Sequence, residues 1–175
     1  TLKIREAYKQ FIVKLLMLSG CKKADAERMR DNVMGIEMEL AKVAMTRTEQ
    51  RDYMAQYNIR TLAEVEKLCP NIDWKQYLTA QYLPIVDSMC VMQLKSLEKV
   101  NELIANKSMR EIKDYLIFHL VNSASDYLGD NFRKVNFEMS STISGAEQDR
   151  PRWKRALSVP DGMLGEALGQ IYVKK

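Results

Sequence analysis

The stretch ADAERMRDNVMGIEMELAKVA, residues 24–44, decides the fold. Its apolar positions Ala26, Met29, Val33, Ile36, Leu40 and Ala44 recur at alternating steps of three and four, with Arg28, Asp31 and Lys42 between them. That spacing lines one face of a 3.6-residue helix and cannot serve a strand, whose faces alternate every second residue. It predicts a long helix over about 24–45. Upstream, Ile4, Tyr8, Phe11, Leu15 and Leu18 keep the same steps and Gly20 can end the run, predicting a first helix over 2–19.

The pattern continues toward the C-terminus. Thr46 with Glu49, Thr61 with Glu64 and Ser108 with Glu111 each form a Ser/Thr-x-x-Glu box, which can satisfy the free amides of a helix start. They predict short helices over 47–55 and 61–68, and a longer one whose buried side carries Met109, Ile112, Leu116, Leu120 and Ser123. Pro70-Asn71-Ile72-Asp73 reads as a turn, with Asp73 capping a helix that carries Trp74, Tyr77 and Leu78. Pro84 suits the first turn of a helix bearing Val86, Cys90, Leu94, Leu97 and Ile104. Phe132, Val135, Met139 and Ile143 mark another, ended near Gly145. The segment 149–175 reads as two helices interrupted around Val159-Pro160-Asp161. No run of alternating strand character stands out, so the expected fold is all-α, an irregular array of about seven to nine helices forming a single helical lobe over 1–175.

Composition agrees. The 175 residues include only 7 Gly and 4 Pro, too few for a turn-dense β fold, and a chain this long buries enough surface to need no disulfide or metal staple. Lys and Arg number 27 against 23 Asp and Glu, a net +4 with interspersed signs that is no nucleic-acid footprint. Cys21, Cys69 and Cys90 lie too far apart for a zinc-ligand pair and allow at most one bridge. No apolar run reaches the length of a membrane span.

Catalytic constellations are scarce. His119 is the single histidine, so the His-Glu-x-x-His pairing of helical zinc sites cannot be assembled. Ser123 follows His119 by one turn, but a lone histidine on an apolar helix reads first as a packing residue. Glu37 with Glu39, and Asp25 with Glu27, stand two apart and do not share a helix face. Gly165-x-x-x-Gly169 lacks the strand and lysine of a phosphate loop and reads as a site of close helix packing. Arg150-Pro151-Arg152-Trp153-Lys154-Arg155 could meet phosphates, yet it reads first as a helix start with a buried Trp and solvated or paired cations. Met29, Met109 and Met139 fall on the predicted core stripes.

Three passages carry a resemblance. Ile36-Glu37-Met38-Glu39-Leu40-Ala41 followed by Arg51-Asp52, then Tyr57-Asn58-Ile59-Arg60-Thr61-Leu62, and finally Arg152-Trp153 ahead of Gly169-Gln170-Ile171-Tyr172-Val173 stand in one order. This order resembles the neprilysin and endothelin-converting-enzyme-like zinc endopeptidases, which share a Glu-x-x-Leu-Ala helix, an Arg-Asp dipeptide, a Tyr-Asn-x-x-Thr-Leu segment and an Arg-Trp segment before a Gly-x-x-Tyr-Val helix. The resemblance implies a non-catalytic lobe of the N-terminal region that encloses a chamber and admits short peptides. It also implies that zinc and the catalytic glutamate belong to a separate C-terminal segment of the same polypeptide. It assigns structural signature status to Glu37, Leu40, Ala41, Arg51, Asp52, Tyr57, Asn58, Thr61, Arg152, Trp153, Gly169 and Tyr172, and no catalytic, metal or identified substrate-binding residue. Ala156 stands where animal members carry Cys, which favours a bacterial oligopeptidase-like member, and the resemblance itself implies export to the periplasm or cell surface. On this view the chain alone neither binds zinc tightly nor cleaves peptides. The competing reading is a self-contained helical module that binds a partner helix or peptide in an apolar groove.

Overall fold

A computed structural model describes residues 2–174. Helix α1 (Leu2–Leu18) turns back at Gly20, whose φ of +96° is the left-handed conformation that glycine adopts without strain. It runs into α2 (Lys23–Val43). Phe11, Ile12, Leu15 and Leu16 meet Ala26, Met29 and Val33 in the core. Tyr8, Phe11 and Leu15 of the expected stripe lie there, whereas Ile4 and Leu18 are exposed and Ile12 and Leu16 take the buried side, because the packed face of α1 is rotated from the stripe. Each fully buried aliphatic or aromatic side chain here contributes about 1.5–3 kcal/mol.

After a 3-10 turn at Glu49–Arg51 come α3 (Tyr53–Gln56), β1 (Ile59–Thr61), α4 (Leu62–Leu68) and α5 (Trp74–Ala80). The single helix expected over 47–55 is split because the Asp52 side chain accepts from the amides of Met54 and Ala55 and restarts the chain as a new cap. β2 (Ser88–Cys90) pairs antiparallel with β1, Arg60 opposite Met89. The helix expected from Pro84 therefore begins only at Leu94. Backbone bonds from Leu62 N to Asp87 O and from Val91 N to Asn58 O extend the ribbon, and this pairing between segments 30 residues apart overrides the local helical spacing of Val86 and Cys90.

α6 (Leu94–Asn106), α7 (Met109–Ala124) and α8 (Asp130–Ser144) follow, then α9 (Arg152–Val173), making nine α-helices among the described residues. The fold is an all-α multi-helix array with one small ribbon. α7 turns a different face inward than its leucine stripe suggests. Asp114 and Phe118 are buried, whereas Met109, Leu116 and Leu120 are exposed. Apolar residues encircle most of α7, so periodicity admits two faces, and the edge-to-face contacts of Phe118 with Tyr8 and Phe11, at 6.2 and 6.3 Å, select one. Phe132, Val135 and Met139 of α8 pack on the same core, while Ile143 is exposed.

α9 also departs from expectation. It is continuous through Pro160 and breaks instead at Leu164 (φ −127°, ψ 25°), between Gly162 and Gly165. None of its residues is buried. Pro160, Gly162, Gly165 and Gly169 together lower its intrinsic helix stability by about 6 kcal/mol relative to alanine. Among the described residues, no helix is long and apolar enough to cross a membrane.

Candidate functional site

Three polar arrangements hold the helices together. In the first, the Tyr8 hydroxyl of α1 donates to Glu37 Oε1 of α2 at 2.7 Å, and His119 Nε2 of α7 lies 3.2 Å from the same oxygen. His119 Nε2 makes no directed hydrogen bond there, since it finds no aligned partner. Its ring stacks obliquely on Tyr115 at 4.3 Å. Burial, and then the Glu37 acceptor, push the Tyr8 phenol far above its usual range, and burial also raises Tyr115. Both phenols therefore stay protonated, and Tyr8 donates to Glu37. The Ser–His pairing does not form, because Ser123 Oγ donates to the Leu120 carbonyl at 2.9 Å. Glu37, His119 and Tyr8 make a three-helix tie with no nucleophile beside a base.

The second arrangement is buried Asp114, which accepts from Asn32 at 2.7 Å and pairs with Arg28, locking α7 onto α2. Nothing in the sequence announces Asp114: it stands off the stripe of Met109, Ile112, Leu116, Leu120 and Ser123, and only the packing of α7 on α2 buries it and demands a partner.

The third lies where α8 meets the start of α9. Arg133 Nε and Nη2 grip Asp149 Oδ2 and Oδ1 at 2.8 and 2.5 Å, and Arg133 Nη1 reaches Asp126 at 2.8 Å. Arg155 Nη1 completes the network, 3.2 Å from Asp149 Oδ2. Arg133 holds the Asp149 carboxyl below the usual carboxylate range. The network lines a cleft of about 660 Å³ between these helices, with Phe137, Arg150, Arg152 and Val159 on its walls. Trp153 is 62% exposed, not buried as expected, and Lys154 stands 5.3 Å above its ring.

The signature residues are spread over the array. Glu37 sits in the first tie, with Leu40 half-buried and Ala41 exposed one turn on. Arg51 ends the 3-10 turn and Asp52 caps α3. Tyr57 is exposed; Asn58 Nδ2 donates to the Ala55 carbonyl at 2.9 Å. Thr61 caps α4 in a full reciprocal box with Glu64, as Ser108 and Glu111 do for α7, and Thr46 and Glu49 exchange the same two bonds. Lys107, then the Ser108 amide and hydroxyl, hold Glu111 at about 2. Arg152, Trp153, Gly169 and Tyr172 lie on exposed stretches of α9. The close packing expected at Gly165 and Gly169 is not made among the described residues, for a Cβ added at either meets nothing within 4 Å. The signature thus marks caps, a tie and an open helix, not one pocket. Met109 likewise leaves the core stripe.

Among the described residues, no group of three or more His, Cys, Asp or Glu is placed to hold a metal ion. Cys21, Cys69 and Cys90 are free thiols.

The N-terminal model of Peptidase family M13 matches residues 1–175. The chain is 29% identical over 163 residues to neutral endopeptidase of Lactobacillus helveticus, covering 93% of this chain and 25% of that protein. It is 28% identical over 178 residues to endothelin-converting enzyme 1 of Mus musculus, covering 98% and 23%. It is 28% identical over 152 residues to neprilysin-1 of Caenorhabditis elegans, covering 83% and 20%. The chain thus spans a quarter or less of these relatives. Among solved structures, zinc metalloprotease Zmp1 of Mycobacterium tuberculosis in its open state superposes with a TM-score of 0.91 at 26% identity, over 98% of this chain and 27% of that one. Its inhibitor complex gives 0.89 at 25% identity with the same coverage.

Proposed function

The chain belongs to peptidase family M13, as its N-terminal region, and from that premise we propose that residues 1–175 are one helical lobe of a zinc endopeptidase, enclosing the substrate chamber and restricting it to short peptides. The observation that carries this reading is the pairing of near-complete coverage of this chain with only 27% coverage of a zinc metalloprotease of the same architecture. A lobe of that size, tied by Glu37, Asp114 and Asp149 into a rigid wall, limits access sterically. The residues present do not fit a zinc site: His119 is the one histidine, and among the described residues no three His, Cys, Asp or Glu side chains converge. Zinc would supply Lewis-acid activation of the peptide bond and its water from ligands elsewhere in the parent. This lobe's part is to orient and exclude. The partners on this reading are the catalytic segment of the same polypeptide and the peptide substrates. The expected setting is the periplasm or cell surface of a bacterium, which rests on the family resemblance.

The test has two parts. An antibody against this chain should detect a species several-fold heavier than 20.3 kDa in source cells, with chelator-sensitive peptidase activity on the captured material. The purified parent should then cleave short peptides and lose activity steeply as substrates lengthen or fold. A 20 kDa species without activity would favour the self-contained peptide-binding module, and cleavage indifferent to substrate length would sink the steric role.

A further inference from the structure

We propose that α9 is the seat on which the rest of the parent polypeptide packs, covered there by an apolar segment of the same polypeptide that brings carboxylates to Arg150 and Arg152. This rests on the reading that the chain is one lobe of a longer peptidase. The composition of α9 is that of an interior helix. Between Ala156 and Val173 only Asp161 and Glu166 are charged, and a helix apolar on most of its circumference is built for burial. Yet Leu157 and Leu164 are each 58% exposed and Ile171 is 67% exposed. With Pro160, three glycines and a break at Leu164, α9 lacks the propensity to persist on its own, so packing must sustain it.

The occupant follows from extent and charge. The superposition on open-state Zmp1 covers 98% of this chain at a TM-score of 0.91, and α9 supplies 22 of the 175 residues, too many to be placed differently at that score. α9 therefore takes this position in a polypeptide nearly four times as long, of which the matched region is 27%. The bare backbone at Gly165 and Gly169 leaves room for a neighbouring helix to approach closely. At the start of α9, Arg155 and Arg133 already share Asp149, while among the described residues no carboxylate lies in ion-pair reach of Arg150 or Arg152, both on the wall of the cleft. A covering segment with acidic residues at that end meets both the apolar and the charged demand.

The experiment uses the full-length parent. Cysteine is introduced by Leu168→Cys and, separately, Ile171→Cys, and the modification rate by a maleimide is read site by site by mass spectrometry in native buffer and in urea. Protection of at least about tenfold in the native monomer is expected, because reaction then requires the covering segment to open. Hydrogen exchange on the unsubstituted parent guards against misfolded variants: amides of residues 165–173 should exchange only with the most protected class. Fast labelling and fast exchange in a heavy, active parent would overturn the seat while leaving the lobe reading intact. Protection that appears only in a concentration-dependent dimer, or only with phosphatidylglycerol vesicles, would overturn it in favour of a second copy or a lipid surface. A native species of 20 kDa removes both readings together.

Discussion

Arg133 holds Asp149 through two parallel bonds, Nε to Oδ2 at 2.8 Å and Nη2 to Oδ1 at 2.5 Å, and this fork fixes the loop that launches α9. A guanidinium matches a carboxylate in this way and lysine does not. Arg133→Lys should therefore recover only part of what Arg133→Ala loses, about 1–2 kcal/mol by urea titration. The folded-state pKa of Asp149 is depressed, so its contribution is present above the unfolded value near 3.9 and is lost as pH falls below it. The wild type and Arg133→Ala should converge in stability at low pH; a constant gap down to pH 2 would contradict this.

Tyr8→Phe removes the donor to Glu37 without changing shape and should cost about 1–2 kcal/mol, since a hydrogen bond to a charged acceptor exceeds a neutral one. The Tyr8 pKa is raised in the folded state, so this contribution is complete below the unfolded value near 10 and fades as pH climbs above it. Thermal melts from pH 8 to 11 should show the variant losing less stability than wild type over that range.

The Ser108–Glu111 box predicts a loss of about 1 kcal/mol for Ser108→Ala. Glu111→Ala on top of it should add less than its separate effect, because both residues serve one reciprocal cap. With Glu111 held at about 2, its share is present at neutral pH and disappears as pH falls from about 4 toward 2. A double-mutant cycle by chemical denaturation reads the coupling directly.

Phe118 is fully buried and touches aromatic rings from α1, so Phe118→Ala should cost about 3–5 kcal/mol. Leu120→Ala, on the exposed stripe of the same helix, should cost little in this lobe taken alone. A larger loss for Leu120→Ala in the full parent would mark its stripe as a second covered face.

On the proposed reading, chelation should abolish peptide cleavage by the parent while the circular dichroism of its helices changes little, because the core of residues 1–175 is built from packed apolar side chains of α1, α2 and α7. Unfolding of the lobe on zinc removal would contradict that division of labour.

Residues 24–44 and 2–18 determined by themselves that two amphipathic helices form, because in both the apolar period matches the helix; which side of the first is buried, Ile12 and Leu16 with Phe11 and Leu15, was decided by its packing on the second. The capping boxes of Thr61 with Glu64 and Ser108 with Glu111 were equally legible, since both partners lie within one turn and need nothing distant; Thr46 and Glu49 exchange the same bonds but start no α-helix. Tertiary structure alone decided the rest. The ribbon pairing Ile59 with Cys90, the inward face of α7 set by Phe118 on Tyr8, and the ties of Glu37 to Tyr8 and Asp114 to Arg28 each join residues 29 to 110 positions apart. Where several faces of a helix are apolar, or a strand is three residues long, local spacing leaves near-equal alternatives, and the contacts that choose among them exist only once the chain has closed on itself.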